Sequence, residues 1–119
     1  MTNPTLQLDG EVLLQQLQLL GEIGADPEHG GRSRIALTDA DRAGRDALVQ
    51  WMRDLDLEVR IDQIGNVFGI LAAADGNANK DALMIGSHID SVRNAGALDG
   101  CYGVLAGLAV VRAYRLAHC

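Results

Sequence analysis

The spacing of apolar residues changes period twice along this chain, and each change marks a new kind of element. Val12, Leu13, Leu17, Leu20 and Ile23 recur at helical spacing, so roughly Asp9 to Ile23 reads as an amphipathic helix. Gly24 to Arg34 reads as a loop, marked by Asp26-Pro27 and Gly30-Gly31. Thr38 is a good N-cap, with Asp41 three positions on as a short version of the capping box. The helix it opens places Leu48, Trp51, Met52 and Leu55 on one face.

A two-residue period follows. Leu57, Val59 and Ile61 alternate with Glu58, Arg60 and Asp62, as in a strand with one face in water. Gly65-Asn66 supports a turn, and Val67 to Ala72 returns as a second strand, predicting a hairpin. After a polar loop from Asp75 to Lys80, Ala82 to Ser87 is an uninterrupted apolar run that suits a central strand covered on both faces. The last element, about Gly100 to Ala117, is helical and apolar nearly all round at its start. Gly103 and Gly107 share a face there and allow tight packing on a sheet. The order α-α-β-β-β-α predicts an α/β fold, a sheet layered with helices.

Bulk composition mainly excludes functions. The 119 residues amount to at most one small domain, and a 48% hydrophobic content is enough for a core. A formal charge of −6 argues against nucleic acid and anionic membrane surfaces as partners, since both need a basic footprint. With 3% aromatic residues, base-stacking platforms are also excluded. Cys101 and Cys119 follow no disulfide or CxxC pattern, and Cys101 reads as a buried free thiol in an apolar helix. Free thiols and a polar segment from Met1 to Gly10, in place of a signal peptide, predict a cytoplasmic protein. The apolar run from Val104 to Val111 is too short to cross a membrane.

Candidate chemistry sits where the apolar run ends. His88 lies at the carboxyl end of the predicted central strand, where ligands gather in open α/β sheets, and a neutral imidazole there suits a metal. Asp90 is placed to accept the other ring N–H and so orient His88. Asp99 precedes Gly100 at a helix N-terminus, where the helix dipole attracts a carboxylate able to bridge two cations. Gly96 and Gly100 give the loop freedom to bring Asp99 back towards His88. Each residue also has an ordinary structural role open to it. His88 could be a satisfied polar residue, Asp90 a loop acid and Asp99 an N-cap.

The whole string of buried strand, GSHxD, glycine-bearing loop, DG and apolar helix is more specific than any one residue. Together with GGRSRIALTDADRAGRDALVQWM, LEVRIDQIGNVFG and IGSHIDSVRNAGALDGCYGVLAGLAVV, it resembles the N-terminal part of a metal-dependent amidohydrolase family. That family includes allantoate amidohydrolase and N-carbamoyl-L-amino-acid hydrolase, relatives of the zinc aminopeptidases and aminoacylases. The resemblance implies the N-terminal part of a three-layer α/β zinc-peptidase-like domain, with a mixed sheet flanked by helices. It implies that His88 binds one metal, that Asp90 supports that histidine and that Asp99 bridges two metals, zinc or manganese. These metals would activate water against a linear amide bond of a ureido or carbamoyl acid. The VRNAG spelling from Val92 to Gly96 leans towards allantoate-type members. In relatives the general base, from a Glu-Glu pair, the remaining ligands and a lid domain that makes the homodimer lie further along. Residues 1–119 are therefore expected to be one part of a catalytic domain, inactive alone.

Two departures and two rivals complete the reading. Asp56 stands where relatives usually have Gly before the LEVR strand, which either strains a helix C-cap or requires Asp in a left-handed conformation. His118 and Cys119 match no family ligand and read as tail residues. The first rival is a non-catalytic remnant or interaction module that pairs through an exposed sheet edge. The second is a domain binding a single metal.

Overall fold

The computed structural model describes residues 6–73 and 80–117. His118, Cys119 and nearly all of the polar loop predicted from Asp75 to Lys80 lie outside the described residues. Three helices and a small sheet follow one another: α1 (Gly10–Glu22), α2 (Asp39–Asp54), β1 (Glu58–Ile61), β2 (Val67–Ile70) and α3 (Cys101–Leu116). The α/β class predicted from the alternating periods is the one observed.

The helix starts follow from their caps. Asp9 accepts a hydrogen bond from the Val12 N–H at 3.1 Å, and Thr38 Oγ1 accepts one from the Asp41 N–H at 3.3 Å. The Asp41 carboxylate reaches back to accept the Leu37 N–H at 3.0 Å, one residue further out than a standard capping box. At the other end of α2, Asp56 adopts φ +56°. Its N–H donates to Arg53 O, and the Leu57 N–H donates to Met52 O, the two bonds of a Schellman motif. The departure from glycine is thus accommodated by a left-handed Asp. Such strain costs about 1 kcal/mol, because only glycine enters that region freely.

β1 and β2 form an antiparallel hairpin with Glu58 opposite Ile70 and Ile61 opposite Val67. The Asp62 carboxylate fixes its turn by accepting the N–H groups of Ile64 and Asn66 and the Asn66 side-chain amide. These bonds, the amide's first among them, hold the Asp62 carboxyl below its usual range. The hairpin lies on α2, so close that a Cβ on Gly69 would come within 2.9 Å of Met52 Sδ. Leu17 and Leu20 of α1, Leu48 and Met52 of α2, Leu57, Ile89, and Cys101, Leu105 and Leu108 of α3 form one core. Leu20 and Leu105 have no solvent exposure at all.

One predicted element is absent. Ala82 to Ser87 does not form a strand covered on both faces. One side of the run lies along α3, where Ser87 and Ile85 pack within 2.9 Å of where a Cβ on Gly103 or Gly107 would sit. The run is otherwise open to solvent, with Leu83 94% and Met84 75% exposed and even Ile85 53% exposed. The physical reason is the lack of a neighbour. Among the described residues only two strands exist, and they pair with each other. Apolar composition gave this run its tendency to extend, but a ladder needs a second backbone.

Candidate metal centre

Two loops build the site, and they brace each other. The loop from Gly24 to Arg34 runs beside the loop after His88 as an irregular ribbon. Arg32 and Ala95 exchange both backbone hydrogen bonds, at 3.1 and 2.8 Å. Ser91 N–H donates to Arg34 O, and Arg34 N–H donates to Ser91 Oγ, both at 2.8 Å. Asn94 adds bonds to Ser33 Oγ and Gly30 O. The approach is tight enough that a Cβ on Gly31 would fall 2.6 Å from the Asn94 carbonyl carbon. From sequence, Gly24 to Arg34 looks like a connector. In the structure it is the wall against which the His88 loop is set.

His88 stands at the end of the extended run with its side chain 52% exposed. Its Nδ1–H donates to the backbone carbonyl of Asp90 at 2.8 Å, and an Asp90 carboxylate oxygen lies 3.5 Å from the same nitrogen. A carbonyl can only accept, so the neutral ring carries its proton on Nδ1 and leaves the Nε2 lone pair free. The ring rests on Gly100, where φ is +72° and a Cβ would lie 2.6 Å from Nε2. Two separate demands, a left-handed backbone and room for an imidazole, therefore meet at one glycine.

Asp99 is the residue just before that glycine and is exposed. Gly100 occupies the N-cap of α3, with no side-chain cap bond, so Asp99 is not the cap its position allowed. Among the described residues its carboxylate has no hydrogen-bond or ion-pair partner. His88 and the turn that carries Asp99 are thus brought together through Gly100, while Asp90 approaches His88 mainly with its main chain.

The donor chemistry suits one side of a divalent metal site: an unprotonated imidazole nitrogen with its tautomer held, next to a turn bearing an uncommitted carboxylate. The set is not closed. Among the described residues no group of three or more His, Cys, Asp or Glu side chains could hold a metal ion. The other histidine among the described residues, His29, pairs with Asp26 at 3.1 Å elsewhere on the ribbon. Sequence reading missed one residue that matters here. Arg34, only 1% exposed, donates to Ile89 O between His88 and Asp90. A glycine inside α2 at Gly44 was the available signal, because helix-interior glycine usually has a packing reason. A Cβ there would sit 2.8 Å from Arg34 Cδ.

No protein-family model matches the chain. N-carbamoyl-L-amino acid amidohydrolase of Geobacillus stearothermophilus is 40% identical over 105 residues, covering 88% of this chain and 25% of that protein. Allantoate deiminase 1 of Glycine max is 38% identical over 98 residues, covering 82% of this chain and 20% of that protein. The fold is similar to the crystal structure of a hydantoinase/carbamoylase family amidase from Burkholderia ambifaria. That match has a TM-score of 0.85 and 46% identity, over 94% of this chain and 27% of that one. The chain spans about a quarter of the length of the curated relatives it matches. No described helix is long and apolar enough to cross a membrane. Over that quarter, in sequence and in fold, the chain belongs to the amidohydrolase family of N-carbamoyl-L-amino-acid hydrolases and allantoate-degrading enzymes.

Proposed function

We propose that residues 1–119 supply one wall of the catalytic centre of a metal-dependent amidohydrolase. Its substrates are linear ureido or carbamoyl acids of the kind named for its relatives, allantoate and N-carbamoyl amino acids. His88 and Asp99 are metal ligands in this reading, and Asp90 holds the histidine. A bound zinc or manganese pair supplies Lewis-acid polarisation and an activated water. The chain's own residues set the geometry. Asp90 keeps the proton of the neutral His88 ring on Nδ1, Gly100 seats the ring, and Asp99, exposed, immediately precedes that glycine. The supporting observation is the His88 ring, bonded through Nδ1 to the Asp90 carbonyl, resting on the glycine that follows Asp99. The general base, the remaining ligands and the homodimer contact belong to regions beyond the family segment present here. The setting is a cytoplasmic one, in keeping with a buried reduced Cys101.

Two protein donors bind a divalent ion weakly, since even open catalytic zinc sites keep three. Titration of the chain with Mn2+ in an NMR experiment should broaden His88 and Asp99 resonances first. His88→Ala and Asp99→Asn should each abolish that selectivity. Broadening centred on Asp26 and His29, or none at His88, overturns the reading. The chain alone should show no hydrolysis of allantoate or N-carbamoyl amino acids.

A second reading draws on the bare apolar run. Leu83, Met84 and Ile85 expose apolar surface, and among the described residues the run belongs to no sheet, as a non-catalytic module pairing with another chain would. Concentration-dependent self-association lost in Met84→Lys, with no selective Mn2+ broadening, would favour it over the enzyme.

A further inference from the structure

We propose that Arg34 is a positioning residue that sets the separation of His88 and Asp99. The inference rests on the reading of those two as the working pair. Arg34 is buried to 1% exposure, and among the described residues no carboxylate pairs with it. Its charge is met by main-chain oxygens and a sulfur. Nη1 donates to Leu20 O at 2.8 Å and Ile23 O at 2.7 Å, around the last turn of α1. Nε donates to Ile89 O at 2.7 Å. Nη2 donates to Cys101 Sγ at 2.9 Å.

These three attachments have a specific geometry. Ile89 is the residue between His88 and Asp90. Cys101 is the first residue of α3, two positions after Asp99. One rigid, planar guanidinium therefore ties the backbone on which His88 is mounted to the helix start on which Asp99 is mounted, and anchors both to the end of α1. The planar fork fixes directions as well as distances, which an ammonium on a flexible stem does not. The carbonyl ends of α1 add a favourable dipole for the charge. Gly44 completes the arrangement by leaving room on α2 for the Arg34 stem, where any Cβ would intrude to 2.8 Å of Cδ.

A merely structural Arg34 would stabilise the fold without governing the imidazole. The two roles separate by NMR above the ordinary histidine titration range, where the ring is neutral. The His88 tautomer is read from its ring 15N shifts, and ring placement from NOEs between His88 Hε1 and Gly100 Hα. Three variants are compared: Arg34→Lys; Gly44→Ala, which keeps the guanidinium and crowds its stem; and Leu48→Ala, a truncation in the same core that leaves Arg34 and Gly44 unchanged. Wild type should show the Nδ1–H form and the NOEs. Arg34→Lys and Gly44→Ala should keep their helical circular dichroism, lose the NOEs and shift to the Nε2–H form that free histidine favours. Leu48→Ala should keep both signals. The proposal is overturned if Arg34→Lys and Gly44→Ala retain the wild-type tautomer and NOEs, or if Leu48→Ala loses them equally. Absence of Mn2+ broadening at His88 in wild type would sink the metal reading alone, because the tautomer comparison needs no metal.

Discussion

The braced ribbon holds two His–Asp pairs, and they differ in what the aspartate is doing. At one end, Asp26 accepts the N–H groups of Glu28 and His29, the His29 ring nitrogen and the Asn94 amide, so its carboxylate is fully used. These bonds, that of the His29 N–H foremost, hold the Asp26 carboxyl below its usual range. At the other end, Asp90 spends its carbonyl on His88 and leaves the ring seated on Gly100 beside an unpaired Asp99. Proximity of a histidine to an aspartate is common to both. Both neutral rings keep an Nε2 lone pair, but the first pair spends its carboxylate closing a loop, and only the second stands by a turn whose carboxylate is uncommitted among the described residues.

The sharpest way to break this contrast is through glycine. Gly100 and Gly30 both have positive φ, at +72° and +78°, so alanine at either should cost about 1–2 kcal/mol in backbone strain. A Cβ on Gly30 meets nothing within 4 Å, whereas on Gly100 it overlaps the His88 ring. Urea unfolding should show a loss in both variants, somewhat larger in Gly100→Ala, where the ring must also move. Only Gly100→Ala should eliminate Mn2+ broadening at His88, and equal loss in Gly30→Ala would erase the distinction.

A smaller effect is expected from acid. A carboxyl with a depressed folded-state pKa stabilises the fold above its unfolded value, here 3.8 for Asp26, and that contribution disappears as pH falls through the lower folded value. The urea midpoint should therefore drop as pH is lowered through this window. Asp26→Asn should flatten part of the drop, with Asp62 responsible for a further share because its carboxyl is shifted the same way. An unchanged profile in Asp26→Asn would show that the Asp26 bonds are no tighter folded than unfolded. The smallest effect belongs to His29→Ala, which should change neither the midpoint nor Mn2+ broadening at His88. Any loss of that broadening would mean that the two ends of the ribbon are coupled.

Much of the fold was legible because its causes are local. The N-cap at Thr38 and the turn at Gly65-Asn66 depend on residues within a few positions, which capping and turn chemistry can see, and comparison with the family's usual Gly pointed to Asp56. The Asp9 cap and the Asp62 bonds are equally local but were not read. The hairpin formed because β2 follows β1 after a short turn. The run from Ala82 to Ser87 carries a stronger apolar signal, yet it stays unpaired, since a ladder partner is a non-local requirement that pattern cannot supply. For the site, His88, Asp90 and Asp99 were visible as residue types, and the resemblance supplied their expected roles. Arg34 was not visible, because its importance lies in three oxygens and a sulfur contributed by distant segments. Gly44 was the only local trace of it.

Cys101 gives this buried junction a chemical reporter. The residue is 2% exposed, and its sulfur accepts a hydrogen bond from the Arg34 guanidinium. In a Cys119→Ser background, an alkylating reagent can reach that thiol only when the start of α3 lifts away. The labelling rate then measures how often the molecule opens there, against the slower events that unfold it entirely.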